Sequence, residues 1–227
     1  MHFLALRKAD AHTEAGQHPD EPWLGTVLRP SDAGVCVQFR DGQATVAPIS
    51  RDGAERLVAG FSPVEAASKA EAVAIVQQWT AEAGPESLEV DVRETGCPGG
   101  LAGVAPLEPG AGLERFAVLL KSEALERGFI PGPELLEPMA LSNDNATRAG
   151  FMIAGDGLMP STKGSRIVRA RGGRITVLDG PFAEAKELVA GYWMVQAATI
   201  DEVIAWVKEY PYPVRDNCDV EIRPVIR

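Results

Sequence analysis

The sequence predicts an α+β protein made of two ferredoxin-like modules in one chain. Three observations predict it: a long internal repeat, a glycine- and proline-rich stretch between the copies, and an order of strand, helix, strands, helix, strand in the better-preserved copy. The repeat is clearest where Leu57-Val58-Ala59-Gly60 returns as Leu188-Val189-Ala190-Gly191. Over the 20 positions starting at Leu57, ten are identical at an offset of 131. Residues 89–93 return as 219–223 and Leu28-Arg29-Pro30-Ser31 returns as Leu158-Met159-Pro160-Ser161, both at an offset of 130. Residues 3–8 return as 116–121 at an offset of only 113, so the first copy is 17 residues shorter between its first strand and the Leu28 turn. Residues 95–112 hold six Gly and three Pro with no apolar period, which is loop composition. The chain therefore divides into a module at 1–95, a linker at 96–112 and a module at 113–227.

Each element has a local reason. Residues 2–8 read as the first strand. Residues 9–22 are polar and present no apolar face, so the first module lacks its first helix. Ser68-Lys69-Ala70-Glu71 is a capping box ahead of Ala72, Val73 and Val76. In the second module residues 115–121 read as a strand and residues 133–149 as a helix, with Pro138 in its first turn or at a kink. A strand at 151–154 runs into Gly155-Asp156-Gly157. Residues 166–171 and 174–178 flank Gly172-Gly173, a hairpin signal because glycine reaches the positive φ angles of a tight turn. Residues 192–197 form another strand. Thr199-Ile200-Asp201-Glu202 repeats the capping box, and Ile200, Val203, Ile204 and Val207 make one apolar helix face. Val220 and Ile222 alternate with Asp219, Glu221 and Arg223 in the last strand. Helices cover one face of such a sheet. The other face needs a partner sheet, which the second copy supplies within the chain, and the uncovered helix site in the first module favours a further homodimer.

Composition narrows the function classes. The 22 Lys plus Arg stand against 32 Asp plus Glu, a net charge of −10, and 45% of the residues are hydrophobic. That is too apolar for a disordered chain, offers no run that could cross a membrane, and disfavours a polyanion partner such as nucleic acid. Cys36, Cys97 and Cys218 are scattered and odd in number, so neither a disulfide framework nor a metal site is expected. Free thiols and the lack of a signal peptide read as cytoplasmic. No dinucleotide fingerprint or P-loop is present, and no cofactor is expected.

Residues 177–187, with Asp179-Gly180-Pro181-Phe182 at their centre, resemble the signature of the DGPF family within the YCII-related group of bacterial proteins. Residues 155–164, Gly172-Gly173, Ala190-Gly191-Tyr192-Trp193 and residues 221–225 also stand where that family has them. The resemblance covers residues 113–227; the first module shares it through the repeat and through Glu14-Ala15-Gly16. It implies a dimeric α/β-barrel arrangement, here as two tandem copies with a degenerate first copy. Some members of the family are associated with extracytoplasmic-function sigma factors, and distant relatives include a dehydrochlorinase thought to use a His–Asp pair.

In the second module Asp156, Lys163, Asp179, Phe182, Glu184, Lys186, Glu187 and Tyr192 gather around two turns and a strand start. Three readings compete. Asp179-Gly180-Pro181 is a turn tripeptide that needs no ligand. The polar set is a binding site whose lysine holds an anion. Or Asp156 or Asp179 acts as a base in a small-molecule lyase or isomerase. In the first module the aligned positions are Thr26, Ala33, Pro48, Arg51, Gly53, Glu55 and Arg56, so one copy keeps the fold and loses the polar set. This points to one site per chain, in the second module, for a small molecule or a protein partner such as a sigma factor. His2, His12 and His18 all lie in the first module, so a His–Asp pair needs His12 or His18 to reach across. Arg166, Arg169, Arg171 and Arg174 read as a solvated hairpin face.

Overall fold

The computed structural model describes residues 1–17, 21–50, 57–83, 86–96, 110–181 and 188–226. In the N-terminal half these form β1 (His2–Lys8), α1 (Ala11–Glu14), β2 (Thr26–Val27), β3 (Val35–Arg40), β4 (Gln43–Ala47), β5 (Val58–Glu65), α2 (Lys69–Glu82) and β6 (Leu88–Glu94). In the C-terminal half they form β7 (Glu114–Ser122), α3 (Glu123–Glu126), α4 (Pro133–Arg148), β8 (Met152–Gly157), β9 (Ser165–Arg169), β10 (Ile175–Asp179), β11 (Val189–Ala197), α5 (Ile200–Glu209) and β12 (Cys218–Pro224). Most of the sequence between 95 and 112, read as a linker, lies outside the described residues.

The strands make two antiparallel six-stranded sheets. Sheet 1 runs β10-β9-β6-β1-β5-β2 and sheet 2 runs β4-β3-β12-β7-β11-β8. Each sheet takes four strands from one half of the chain and a hairpin from the other. Hairpin β3–β4 extends sheet 2 through β3–β12 pairing, with Glu221 opposite Cys36. Hairpin β9–β10 extends sheet 1 through β9–β6 pairing, with Arg166 opposite Asp91.

Three apolar layers result from strand alternation, which sends successive side chains to opposite faces. Leu4, Leu6 and Phe61 of sheet 1 meet Leu119, Ile153 and Met194 of sheet 2, so the sheets pack face to face. The outer face of sheet 1 buries Phe3, Val64, Val90 and Ile167 beneath α2. The outer face of sheet 2 buries Phe116, Val118, Trp193 and Ile222 beneath α4 and α5. Each fully buried aliphatic or Phe side chain contributes about 1.5–3 kcal/mol.

Both capping boxes form. Ser68 Oγ accepts from Glu71 N at 3.2 Å, and Glu71 Oε2 accepts from Ala67 N at 2.7 Å. Thr199 Oγ1 accepts from Glu202 N at 3.4 Å, and Glu202 Oε2 accepts from Ala198 N at 3.2 Å. The stretch after β1 contains one helical turn rather than loop alone. Asp10 caps α1 by accepting from His12 N at 3.0 Å and Thr13 N at 2.9 Å. Past this turn Trp23 packs on the outer core of sheet 1 and stacks on Trp79 with centroids 5.5 Å apart.

The solvated reading of the hairpin arginines is overturned for two of the four. Arg166 donates to Asp91 through Nε at 2.6 Å and Nη2 at 3.0 Å. Arg169, 7% exposed, donates through Nη1 to the Glu86 carbonyl at 2.7 Å. The cause is the hairpin exchange: β9 lies against β6 instead of at a free edge. Arg171 and Arg174 do stay exposed. Cys36 and Cys218 are buried free thiols, both pushed up to about 12 by burial; Cys97 lies outside the described residues. Among the described residues no helix is long and apolar enough to cross a membrane, and no group of three or more His, Cys, Asp or Glu could hold a metal ion.

Candidate functional site

The site begins with missing side chains. On the α4-facing side of sheet 2, Gly191 stands opposite Gly157 and Trp193 opposite Gly155. Glycine pairs in a strand interior leave bare backbone, where a ligand or another chain can come close. A Cβ at Gly155 would lie 3.1 Å from Trp193 Cδ1, so the glycine also makes room for the indole. Over this floor α4 and the segment before it form a cavity of about 480 Å³. That size suits a small molecule. Leu120, Leu125, Leu136, Met139 and Trp193 make its walls. Phe129 and Ile130, also in the lining, are 46% and 79% exposed.

A few polar groups interrupt the apolar lining. Asn143, on α4 and 3% exposed, accepts through Oδ1 from Trp193 Nε1 at 3.3 Å and from the Tyr210 hydroxyl at 2.7 Å. It fixes the tilt of the indole wall. Sequence reasoning missed it, because a mid-helix Asn reads as a surface polar residue; its only signal was its place among Met139 and Ala146 on the buried face of α4. Lys163 ends a short 3-10 turn at Ser161–Lys163 and lines the cavity with Thr162. Its side chain is exposed, and among the described residues it forms no ion pair.

Asp156 borders the cavity, but its carboxylate is already engaged. It stands opposite Tyr192, whose ring packs on Phe61 of sheet 1, with centroids 5.3 Å apart. Directly opposed residues share a face, so the carboxylate lies on the inter-sheet side of β8. It accepts from Gly96 N at 3.2 Å. Burial raises its carboxyl above the ordinary range, and hydrogen bonds from Gly96, Thr95 and Gly157 oppose that rise. Tyr192 is pushed up to about 12 by burial and then by the Asp156 charge. Of the described histidines, His2 is the one that acts electrostatically on Asp156, as the last of the effects opposing the rise of its carboxyl, a neighbour that sequence reasoning passed over. His12 instead bonds Gln17 Oε1 at 2.7 Å, and His18 lies outside the described residues.

Asp179 does not line the cavity. At the exposed end of β10 its Oδ1 accepts from Lys69 Nζ at 2.9 Å and from Ser165 Oγ at 2.8 Å. These bonds, Lys69 first, hold its carboxyl below the ordinary range. Gly180 has the more constrained role: a Cβ there would fall 1.9 Å from the Ser161 carbonyl oxygen. The Asp-Gly-Pro tripeptide thus packs its backbone onto the turn that carries Lys163. Of the eight candidate residues, Asp156 and Lys163 border the cavity, Tyr192 sits behind its floor, and Asp179 is apart. Phe182, Glu184, Lys186 and Glu187 lie outside the described residues.

Fold and site together define a two-sheet α/β protein with an apolar, ligand-sized cavity in its C-terminal half. Residues 132–227, which carry α4 to β12, match the model of the YCII-related domain. The match begins after β7 and is therefore shorter than the stretch 113–227 over which the sequence resembles that group. An uncharacterized protein of Rhizobium meliloti (strain 1021) is 31% identical over 68 residues, 30% of this chain and 54% of that protein. The chain thus spans about half the length of this relative.

Proposed function

We propose that this chain is a cytoplasmic, DGPF-type YCII-related protein that binds a small molecule in the cavity beneath α4. The ligand has an apolar body and an anionic end directed at Lys163. The observation that carries this reading is the bare glycine floor walled by Leu120, Leu136, Met139 and Trp193, with an exposed ammonium in its lining. A cation beside an apolar cavity selects an amphiphile: burial of the body supplies affinity, and the charge sets orientation. We also read the chain as a tandem duplication in which two modules stand in for the two subunits of a dimeric α/β barrel. The matching strand orders and the exchanged hairpins support that reading.

The lyase or isomerase reading has less support. Asp156 is committed to the Gly96 amide on the far side of β8, and Asp179 is committed to Lys69 and Ser165. Neither carboxylate faces the apolar walls: that of Asp156 lies on the inter-sheet side of β8, and Asp179 does not line the cavity.

Titration calorimetry with decanoate and 1-decanol tests the proposal. Wild type binds decanoate more tightly than decanol. Lys163→Ala removes that preference, a loss of about tenfold for each 1.4 kcal/mol of head-group interaction. Met139→Trp, which fills the cavity, abolishes binding of both. If Met139→Trp leaves decanoate binding unchanged, the cavity is not the site.

A further inference from the structure

We infer that Arg93, a residue of the N-terminal half, is a positioning residue for the cavity in the C-terminal half. Arg93 lies in β6 with its side chain 1% exposed. Its Nη2 donates to Glu126 Oε2 at 2.8 Å and to the Met159 carbonyl at 2.6 Å, and its Nε donates to the same carbonyl at 3.1 Å. Glu126, itself 4% exposed at its side chain, uses Oε1 to accept from Ser161 N at 2.5 Å. One guanidinium therefore ties two segments together. The first is α3 with the loop leading on to α4, which supplies Leu125, Phe129 and Ile130 to the cavity. The second is the turn that supplies Met159, Thr162 and Lys163. Both segments line the cavity and meet through the Glu126–Ser161 bond, and the fork that ties them comes from the other half of the chain. A planar, bidentate arginine holds two acceptors at a set angle, which a lysine cannot reproduce.

The molecule contains its own control. Arg223 in β12 is 1% exposed and pairs with Glu14 at 3.4 Å. Its Nε donates to the Arg29 carbonyl at 3.0 Å, and Glu14 Oε2 accepts from Ser31 N at 3.0 Å. The chemistry is the same, Arg to Glu to the amide of a Ser that opens a short turn. Yet none of Glu14, Arg29, Ser31 or Arg223 lines the cavity. Loss of either clamp therefore costs stability alike, and only loss of the first deforms the site.

The affinity part of this inference rests on the proposed ligand reading, so the experiment carries two readouts. Arg93→Lys and Arg223→Lys are compared for thermal midpoint, for decanoate affinity, and for amide hydrogen exchange over residues 128–131 and 159–164. Both variants are expected to lower the midpoint by similar amounts. Arg93→Lys alone weakens decanoate binding, by about tenfold, because small displacements of the groups lining a site are costly. It alone speeds exchange in the two wall segments. If wild type fails to bind decanoate, the ligand reading falls while the exchange comparison still decides the positioning role. Equal exchange in both variants, or equal loss of affinity in both, overturns the inference.

Discussion

The two halves of the molecule build the same outer sheet surface and finish it differently. In the C-terminal half, Trp193 faces out beside Gly191 and Gly155, α4 passes overhead, and a cavity remains between them. In the N-terminal half, the residue 131 positions before Trp193 is Ser62. Its hydroxyl donates to the Trp23 carbonyl at 2.6 Å and accepts from Gly25 N at 2.6 Å. That pulls the incoming chain flat onto the sheet. Leu24 then covers Gly60: a Cβ on Gly60 would meet Leu24 Cδ2 at 2.8 Å, and Leu24 is 2% exposed. The same glycine that floors a cavity in one half is sealed by a leucine in the other. A serine in place of a tryptophan, and a short turn in place of a 16-residue helix, are enough to turn an open cavity into a covered surface.

The buried charges offer the strongest way to sharpen that comparison. Lys121 pairs directly with Glu221, at 9% and 6% side-chain exposure. Its counterpart Lys8 has lost that exclusivity, because Asp91 is held bidentately by Arg166 at the position where Glu221 faces Cys36. Burial consequently lowers the Lys8 ammonium to about 8. Lys121→Met strands a buried carboxylate and is expected to cost about 3–5 kcal/mol in urea unfolding at pH 7. Lys8→Met has the opposite sign. A lysine with a depressed folded-state pKa penalises folding below pH 8, where both states are charged. The penalty fades from pH 8 towards 10.5, where the unfolded chain binds more protons than the folded one. Lys8→Met is therefore expected to stabilise at pH 7, by up to about 3 kcal/mol. The advantage over wild type shrinks as the pH rises to 10.5. A destabilised Lys8→Met at pH 7 would break the contrast.

A smaller effect belongs to the C-terminal half alone. Asn143→Ala leaves Trp193 Nε1 and the Tyr210 hydroxyl without their acceptor, at about 1–3 kcal/mol for a buried donor so exposed. Near-ultraviolet circular dichroism should report the freed indole. The smallest effect is expected at Asp179. Its carboxylate is 75% exposed at the side chain, and an exposed ion pair contributes little. Asp179→Asn should leave the unfolding midpoint and decanoate binding unchanged; a clear loss of binding would restore Asp179 to the site.

Much of this is legible in the chain. Alternation marks the strands and capping boxes mark α2 and α5, whereas the Gly-Asp-Gly run, which reads as a turn after a strand, is the end of β8 itself. Three things are not. The fate of Arg166 and Arg169 depends on which sheet their hairpin joins, and pairing between β9 and β6 leaves no local mark on either strand. Glu14 and Glu126 look like surface glutamates until an arginine reaches each from the opposite half of the chain, 209 residues away for the first and 33 for the second. Asp179 sits in the most recognisable motif, yet the packed atom there is the Gly180 backbone. A motif records what a position needs, and that need can be steric as easily as chemical.

The exchanged hairpins bear on how the molecule comes apart. Sheet 1 loses β9 and β10 if the C-terminal half melts, and sheet 2 loses β3 and β4 if the N-terminal half does. Each half left alone keeps four strands of its sheet and loses the two that the other half supplies. Melting of either half is therefore expected to disturb both sheets, so that the cavity's stability depends on strands at both ends of the chain.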